Sequence, residues 1–108
     1  MGVAYGMSKA ALDQFTRSLA LDLAPKQVRV NSVNPGFTKT SIFEGIMPKE
    51  DVPGFLDSVA TIYPLRKVGQ PEEVAKAIAF LASSESSFST GVLLECDGGV
   101  HMNTKVVP

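Results

Sequence analysis

The sequence is short of the residues that often mark extracellular proteins and metal sites. Its 108 residues include no tryptophan, one cysteine and one histidine. A single cysteine, Cys96, excludes an internal disulfide, which fits a reducing compartment and a cytoplasmic location. Cys96 ends an apolar run, so we expect a buried structural thiol there. His101 has no Cys, Asp or Glu at a ligand spacing, and we predict a surface side chain and no metal site.

An excess of charge of either sign is also missing. Ten basic residues stand against eleven acidic ones, so no electrostatic argument favours nucleic acid or an anionic membrane as a partner. The apolar stretches are far shorter than the roughly 20 residues that span a bilayer. No signal peptide is visible at the start of the sequence. The length suits one small domain.

Helical periodicity dominates the first quarter of the chain. Apolar residues recur there at steps of three and four: Leu12, Phe15, Leu19 and Leu23. This spacing predicts a helix over residues 3–24, ended by Pro25. So wide an apolar surface indicates a helix covered on more than one side. Either a sheet and a partner subunit cover it, or it is a core helix, and the sequence does not separate the two.

Two short strands and two further helices are predicted in the rest of the chain. The strands are expected at residues 28–33 and 92–96, and the helices at residues 52–62 and 71–82. The second strand is almost continuously apolar, as in a strand buried on both faces. Pro71 suits the first position of a helix, and the two acidic residues after it suit the first turn. Residues 38–50 are predicted to form a loop or short helix.

The order of these elements predicts the fold class. Two strands separated by a long helical crossover are typical of parallel strands in an α/β sheet. A parallel sheet needs both faces covered and several neighbouring strands. The sequence therefore predicts an α/β fold whose other strands lie elsewhere.

Tyr5 and Lys9 are four residues apart on the first predicted helix. They share a face, at about 6 Å along the axis. An ammonium group at this distance stabilises a phenolate. A phenol that exchanges its proton readily suits hydride transfer at a carbonyl, because a proton must reach the oxygen as hydride reaches the carbon. Taken alone, the pattern more often marks a solvated helix face.

Several motifs that follow in order resemble the short-chain dehydrogenase/reductase family, most closely its classical members, including acyl-carrier-protein ketoreductase-like ones. The motifs lie at residues 5–12, 19–24, 28–36, 64–75, 80–83, 90–91 and 97–99. The resemblance covers about residues 4–99. It implies that residues 1–108 are a partial NAD(P)-binding domain, the C-terminal part of a Rossmann-like doubly wound parallel sheet with two parallel strands plus three to four helices.

The resemblance also implies roles for particular residues. Tyr5 would be the catalytic acid/base, and Lys9 would promote its ionisation and bind the nicotinamide ribose of NAD or NADP. The other cofactor-binding residues would be Pro35, Gly36, Phe37, Thr38 and Thr40. The substrate would be a small carbonyl or alcohol. Four apolar residues either line its pocket or pack a surface helix, with neither option favoured: Phe43, Ile46, Met47 and Phe55.

Parts of the family pattern are missing from the 108 residues. They contain no Gly-rich diphosphate turn, and the family's catalytic serine and relay asparagine precede the tyrosine. We therefore expect a chain that is inactive alone, from a truncated gene model or a genuine short product. Its parent is expected to be a homo-oligomer, because the apolar helix around Leu12 to Leu23 resembles the family's dimer-forming helix. Two alternatives stay open: a non-catalytic module that binds full-length subunits, and a poorly folded remnant. The sequence does not identify the substrate, and it does not indicate whether the cofactor is NAD or NADP.

Overall fold

The computed structural model describes residues 2–103, which divide into two compact units. The described part of the first unit consists of residues 2–33 and 78–94. The described part of the second consists of residues 34–77 and 95–103. Each unit is therefore built from two separate stretches of the chain.

Three α-helices and two strands form the regular structure of residues 2–103. They are α1 (Gly2–Leu23), β1 (Ser32–Pro35), α2 (Val52–Ala60), α3 (Pro71–Ala82) and β2 (Leu93–Cys96). The two strands pair in one sheet. The N–H of Ser32 donates to the carbonyl of Val92 at 2.9 Å, and four residues later Gly36 donates to Cys96 at 3.1 Å. This constant offset belongs to parallel strands, and it confirms the predicted α/β class.

Helix α1 confirms the first predicted helix to within one residue at each end. Its buried positions are Thr16 and Ala20. An added Cβ at Gly91 would lie 3.6 Å from the Ala20 methyl group, so the helix approaches that loop through a small side chain. Leu12 and Phe15 nevertheless remain 50% and 59% exposed. Part of the apolar surface predicted for this helix is therefore not covered within residues 2–103.

Strand β1 begins later than the sequence predicts. The prediction placed it at residues 28–33, whereas it runs from Ser32 to Pro35. The segment opposite residues 28–31 is a turn rather than a strand. There the N–H of Val30 donates to the Thr90 hydroxyl at 3.1 Å, so a side chain takes the place of a backbone acceptor. A backbone group bonded in this way is not available to a strand ladder, so the regular pairing starts only at Ser32.

Strand β2 has the predicted position but not the predicted burial. Leu93 and Leu94 are half-buried and Glu95 is exposed. The expectation of a strand buried on both faces is therefore wrong for residues 2–103, where β1 is its only neighbour. Cys96 is half-buried as well, rather than fully buried, with its Sγ 3.8 Å from the carbonyl oxygen of Glu73.

The remaining helices follow the sequence closely. Helix α2 ends two residues before its predicted end, and α3 has its predicted bounds. At the start of α3, the Glu73 carboxylate accepts a hydrogen bond from the N–H of Gln70 at 3.0 Å, while the N–H of Glu73 donates to the Gln70 carbonyl at 2.9 Å. The Glu73 side chain thus makes the half of a capping box in which the third residue of a helix accepts from the N–H before it. The segment predicted as loop or short helix contains 3₁₀ turns at Ser41–Gly45 and Lys49–Asp51.

None of the helices within residues 2–103 combines the length and the hydropathy that crossing a membrane requires.

Candidate functional site

The phenol and the ammonium predicted to carry the chemistry belong to the first unit. Tyr5 and Lys9 both lie on α1. A separation of four residues puts them on one face of that helix. Tyr5 is 64% exposed and Lys9 is half-buried. The helix therefore presents a phenol that is exposed within residues 2–103.

The predicted cofactor turn, residues 35–38, belongs to the second unit. A Cβ added at Gly36 would lie 2.9 Å from the Tyr63 hydroxyl and 3.0 Å from the Asp97 Cβ. Contacts this short do not occur with a real side chain. Position 36 therefore requires glycine because two neighbouring side chains approach its backbone closely.

Hydrogen bonds fix both sides of Thr38. Before it, the N–H of Phe37 donates to the Tyr63 hydroxyl at 2.7 Å. After it, the N–H of Lys39 donates to the Gly69 carbonyl at 2.8 Å. The N–H of Gly69 in turn donates to the Phe37 carbonyl at 2.8 Å. Within residues 2–103, the N–H of Thr38 has no acceptor. The turn therefore holds one unused backbone donor between two bound ones.

The other predicted cofactor residues lie at the two ends of this turn. Pro35 is the last residue of β1 and is exposed. Thr40 is exposed and directly precedes the Ser41–Gly45 turn, without a side-chain cap bond to it. The structure thus brings residues 35–38 into one turn, places Thr40 beside it, and places Tyr5 and Lys9 in the other unit.

Three phenylalanine rings pack together in the second unit. The ring centroids of Phe37, Phe43 and Phe55 are 5.8 to 6.2 Å apart. Phe43 is buried. Ile46 is exposed and Met47 is half-buried. Of the four residues expected either to line a substrate pocket or to pack, Phe43 and Phe55 pack around Phe37.

Sequence reasoning missed Tyr63, the residue that directly follows the helix predicted over residues 52–62. Tyr63 is 3% exposed. A buried phenol needs a hydrogen-bond partner, and here the partner is the backbone of the predicted cofactor turn. The available signal was a tyrosine placed directly before a proline at the end of an apolar helix.

Asp97 was also missed as a structural residue. It is buried, and its two carboxylate oxygens accept hydrogen bonds from the N–H groups of Gly99 at 3.0 Å and His101 at 3.1 Å. Gly98 and Gly99 adopt φ angles of 60° and 88°, a region that favours glycine. An aspartate followed by two glycines is the sequence signal of such a turn.

The interpretation of His101 needs a correction. The sequence indicated no acidic residue at a useful spacing, but the ring Nδ1 lies 3.0 Å from the Asp97 carboxylate, four residues earlier. Glu95 also approaches, so that one ligand atom from each of the three residues lies within 4.8 Å of the others. The spacing was overlooked because a tight turn, rather than a helix, brings residues 97 and 101 together. The prediction that His101 is a surface residue is confirmed, since its side chain is 47% exposed.

One carboxyl group in the second unit has a shifted pKa. The Lys67 ammonium lies 2.8 Å from the Glu73 carboxylate. That hydrogen bond, together with the one from the Gln70 N–H, lowers the pKa of Glu73 below its ordinary value. The pair therefore stabilises the charged form of the residue that caps α3.

Comparisons with known proteins agree with these features. A family model described as enoyl-(acyl carrier protein) reductase matches residues 1–101. A tropinone reductase homolog of Arabidopsis thaliana is 41% identical over 102 residues, covering 94% of this chain and 38% of its own length. The acetoacetyl-CoA reductase of Cupriavidus necator is 42% identical over 98 residues, covering 91% of this chain and 38% of its own length.

A solved structure is similar as well. The crystal structure of a short chain dehydrogenase family protein from Francisella tularensis has a TM-score of 0.81 and 38% identity, over 93% of this chain and 44% of that one. The chain therefore has the Rossmann-like fold predicted for it. It spans about two fifths of the length of the relatives that it matches.

Proposed function

The chain belongs to the short-chain dehydrogenase/reductase family of oxidoreductases, and from this premise we propose that it is the part of an NAD(P)-dependent enzyme that exchanges the proton and holds the nicotinamide. The substrate class is a small carbonyl or alcohol. The observation that carries the proposal is the exposed Tyr5 phenol, one turn from Lys9 on α1. Each unit contributes the residues for one of the two tasks.

In the first unit, Tyr5 is the acid/base. When a carbonyl is reduced, the phenol gives its proton to the substrate oxygen, and in alcohol oxidation the phenolate takes the proton back. Lys9, one helical turn away on the same face of α1, holds the nicotinamide ribose. Bound NAD(P) supplies or accepts the hydride at the substrate carbon.

In the second unit, residues 35–38 hold the nicotinamide. The unused N–H of Thr38 is a donor for the carboxamide oxygen, and its two bound neighbours keep it in place. Gly36 lets Tyr63 and Asp97 pack directly against the backbone of the turn. The exposed hydroxyl of Thr40 is a donor for the diphosphate. These groups fit the nicotinamide end of a dinucleotide.

The full reaction needs groups beyond these 108 residues, which include no Gly-rich diphosphate turn. We expect no turnover by the 108-residue chain alone, because the dinucleotide phosphates need backbone donors that it does not contain. The assay follows the absorbance of reduced nicotinamide with the purified chain and a panel of ketones. Robust turnover by this chain would refute the expectation.

The acid/base role is tested on a protein that joins residues 1–108 to the segment encoded in frame upstream. That segment should encode a Gly-rich βαβ unit. Tyr5→Phe should then lower kcat by about a hundredfold or more, because general acid catalysis is lost. Thr61→Val, which removes an exposed hydroxyl far along the chain, serves as the control. Equal rates in the wild type and Tyr5→Phe would rule out the role.

A second candidate function follows from the apolar face of α1. Leu12 and Phe15 are exposed three residues apart on one face of this helix, and exposed apolar patches mark protein interfaces. The chain would then be a module that docks on full-length subunits, and the same face would pair subunits of a homo-oligomeric parent. Sedimentation of the chain with a full-length family member tests this. Phe15→Lys should abolish a complex that Gln14→Lys leaves intact, whereas separate boundaries for the two wild-type proteins would argue against docking.

A further inference from the structure

Tyr63 is the least exposed aromatic side chain of residues 2–103, and its ring is held between two glycines. An added Cβ at Gly36 would lie 3.0 Å from the ring Cε2, and one at Gly98 would lie 3.1 Å from Cδ2. The ring therefore packs directly on backbone at two places. Its position is tied to the backbone of residue 36, inside the turn proposed to hold the nicotinamide.

The Tyr63 hydroxyl bonds the same turn one residue further on. It accepts a hydrogen bond of 2.7 Å from the N–H of Phe37, the residue directly before Thr38. The Phe37 side chain is fixed independently, by its packing with Phe43 and Phe55. Both the amide and the ring of Phe37 are thus held, which leaves the peptide between residues 37 and 38 little freedom to rotate.

We propose that Tyr63 is a positioning residue for nicotinamide binding. Its hydroxyl accepts the hydrogen bond of the Phe37 N–H, so that the N–H of Thr38 is the donor available to the carboxamide. This rests on the proposed function of the turn. Without the hydroxyl, the Phe37 N–H has no fixed acceptor, and the two amides compete for the same ligand oxygen. A donor that is fixed before binding loses less conformational entropy when the ligand arrives.

A space-filling role and a positioning role make different predictions for Tyr63→Phe. This substitution removes one oxygen atom and keeps the ring between the two glycines. If Tyr63 only fills space, nucleotide binding is unchanged. If it positions the turn, the affinity for nicotinamide falls while the fold is kept.

The first measurement is amide hydrogen exchange by NMR on the full 108-residue chain. Tyr63→Phe should speed exchange at Phe37 by about tenfold, the change expected for one lost hydrogen bond. The amide of Lys39, bound to Gly69, should change little and is the internal reference. Thr61→Val is the matched variant, because the Thr61 hydroxyl bonds Ser58 outside the turn. Unchanged exchange at Phe37 would overturn the proposal.

The second measurement is a titration of the same samples with nicotinamide mononucleotide, followed at the Thr38 amide. The wild type and Thr61→Val should show the same saturating shift, and Tyr63→Phe should need a concentration about three- to tenfold higher. Faster exchange at Phe37 with equal affinity would overturn the positioning role and leave the proposed function standing. A wild type with no Thr38 response would overturn the nicotinamide role of the turn and this inference with it.

A third measurement decides the matter if Tyr63→Phe does not fold by circular dichroism. Labelling with 3-fluorotyrosine weakens the hydroxyl as an acceptor and keeps its shape. The chain has two tyrosines, so a Tyr5→Phe background places the label at Tyr63 alone. The Phe37 amide proton should shift upfield as its hydrogen bond weakens, together with a weaker nucleotide response at Thr38. A Phe37 shift with unchanged nucleotide affinity would count against the proposal.

Discussion

Two loops of this chain are stabilised in opposite ways. In the first unit, the last turn of α3 and the loop after it, residues 81–89, present carbonyl oxygens, and the Arg29 guanidinium donates to three of them. The acceptors are the carbonyls of Leu81 (3.0 Å), Ser83 (3.0 Å) and Ser89 (3.2 Å) and the hydroxyl of Ser86 (3.1 Å). In the second unit, the turn at residues 35–38 presents amides, and neutral oxygens of Tyr63 and Gly69 accept from the residues flanking Thr38.

The difference separates a structural loop from the turn proposed to bind the cofactor, called the binding turn below. One cation bonds several carbonyls of the first loop, as expected where charge-assisted bonds hold irregular backbone. The second turn keeps one amide, that of Thr38, without an acceptor within residues 2–103. A loop whose groups are bound has little left to offer a ligand, whereas an orphan donor next to fixed neighbours can bind one. The proposed cofactor role belongs to the second kind.

The largest effect is expected at the structural loop. Arg29→Met should lower the free energy of unfolding by about 3 kcal/mol, because several part-buried carbonyls lose a charged donor. Urea denaturation followed by circular dichroism measures it, and a cooperative transition in the wild type would also argue against a poorly folded remnant. The exposed Arg17→Met is the control, with a change of no more than about 0.5 kcal/mol. Equal losses in both variants would contradict the role of Arg29.

A smaller loss is expected at the binding turn. Gly36→Ala should destabilise the chain by about 2 kcal/mol, because the new Cβ meets Tyr63 and Asp97 at 3.0 Å or less. Gly54→Ala, on α2 with no atom within 4 Å of an added Cβ, should instead stabilise it by about 0.5–1 kcal/mol. The same denaturation experiment compares them, and a Gly36→Ala chain as stable as Gly54→Ala would disprove the close approach.

Asp97→Ala tests the carboxylate that caps the turn at residues 97–101. We expect a loss of about 1–2 kcal/mol, since two N–H groups, of Gly99 and His101, lose their acceptor. Asp57→Ala, on an exposed position of α2, is the control and should be near neutral. Thermal unfolding of the three proteins under one buffer condition is the measurement, and matching midpoints for the two variants would exclude the capping role.

The smallest effect is expected from the Lys67–Glu73 pair. The pKa of Glu73 is lowered in the folded chain. Its contribution to stability is therefore present above the pKa that it has in the unfolded chain, and is lost as the pH falls through the pKa that it has in the folded chain. Glu73→Gln should therefore narrow the difference in stability between neutral and acidic solution by a small amount. Denaturation at both pH values measures this, with Glu72→Gln as the control. A larger effect at position 72 than at 73 would contradict the assignment.

Local patterns were enough to predict most of the fold. The three-and-four spacing of Leu12 to Leu23 and the Pro71 start gave two helices with nearly correct bounds, because helix signals are local. Strand β1 was placed about three residues too early, because its start depends on Thr90, some 60 residues away. The apolar run at residues 92–96 predicted the position of β2 but not its burial, which depends on neighbouring strands.

The candidate site divides in the same way. Residues 35–38 were predicted from a Pro-Gly turn and a family resemblance, both legible in sequence. Tyr63 was not, because nothing local to it indicates that its hydroxyl will meet an amide 26 residues earlier. The pairing of His101 with Asp97 was missed because a glycine turn, rather than a helix, joins them.

The division of the chain into two units has a practical consequence for cutting it. The chain passes from one unit to the other at residues 33–34, 77–78 and 94–95, and each passage lies inside β1, α3 or β2. Domain boundaries normally fall in exposed linkers, where proteases cleave and where the protein tolerates deletions. Here no single deletion isolates one unit. Loss of an exon or cleavage by a protease at any of these three positions interrupts a strand or helix that has residues in both units.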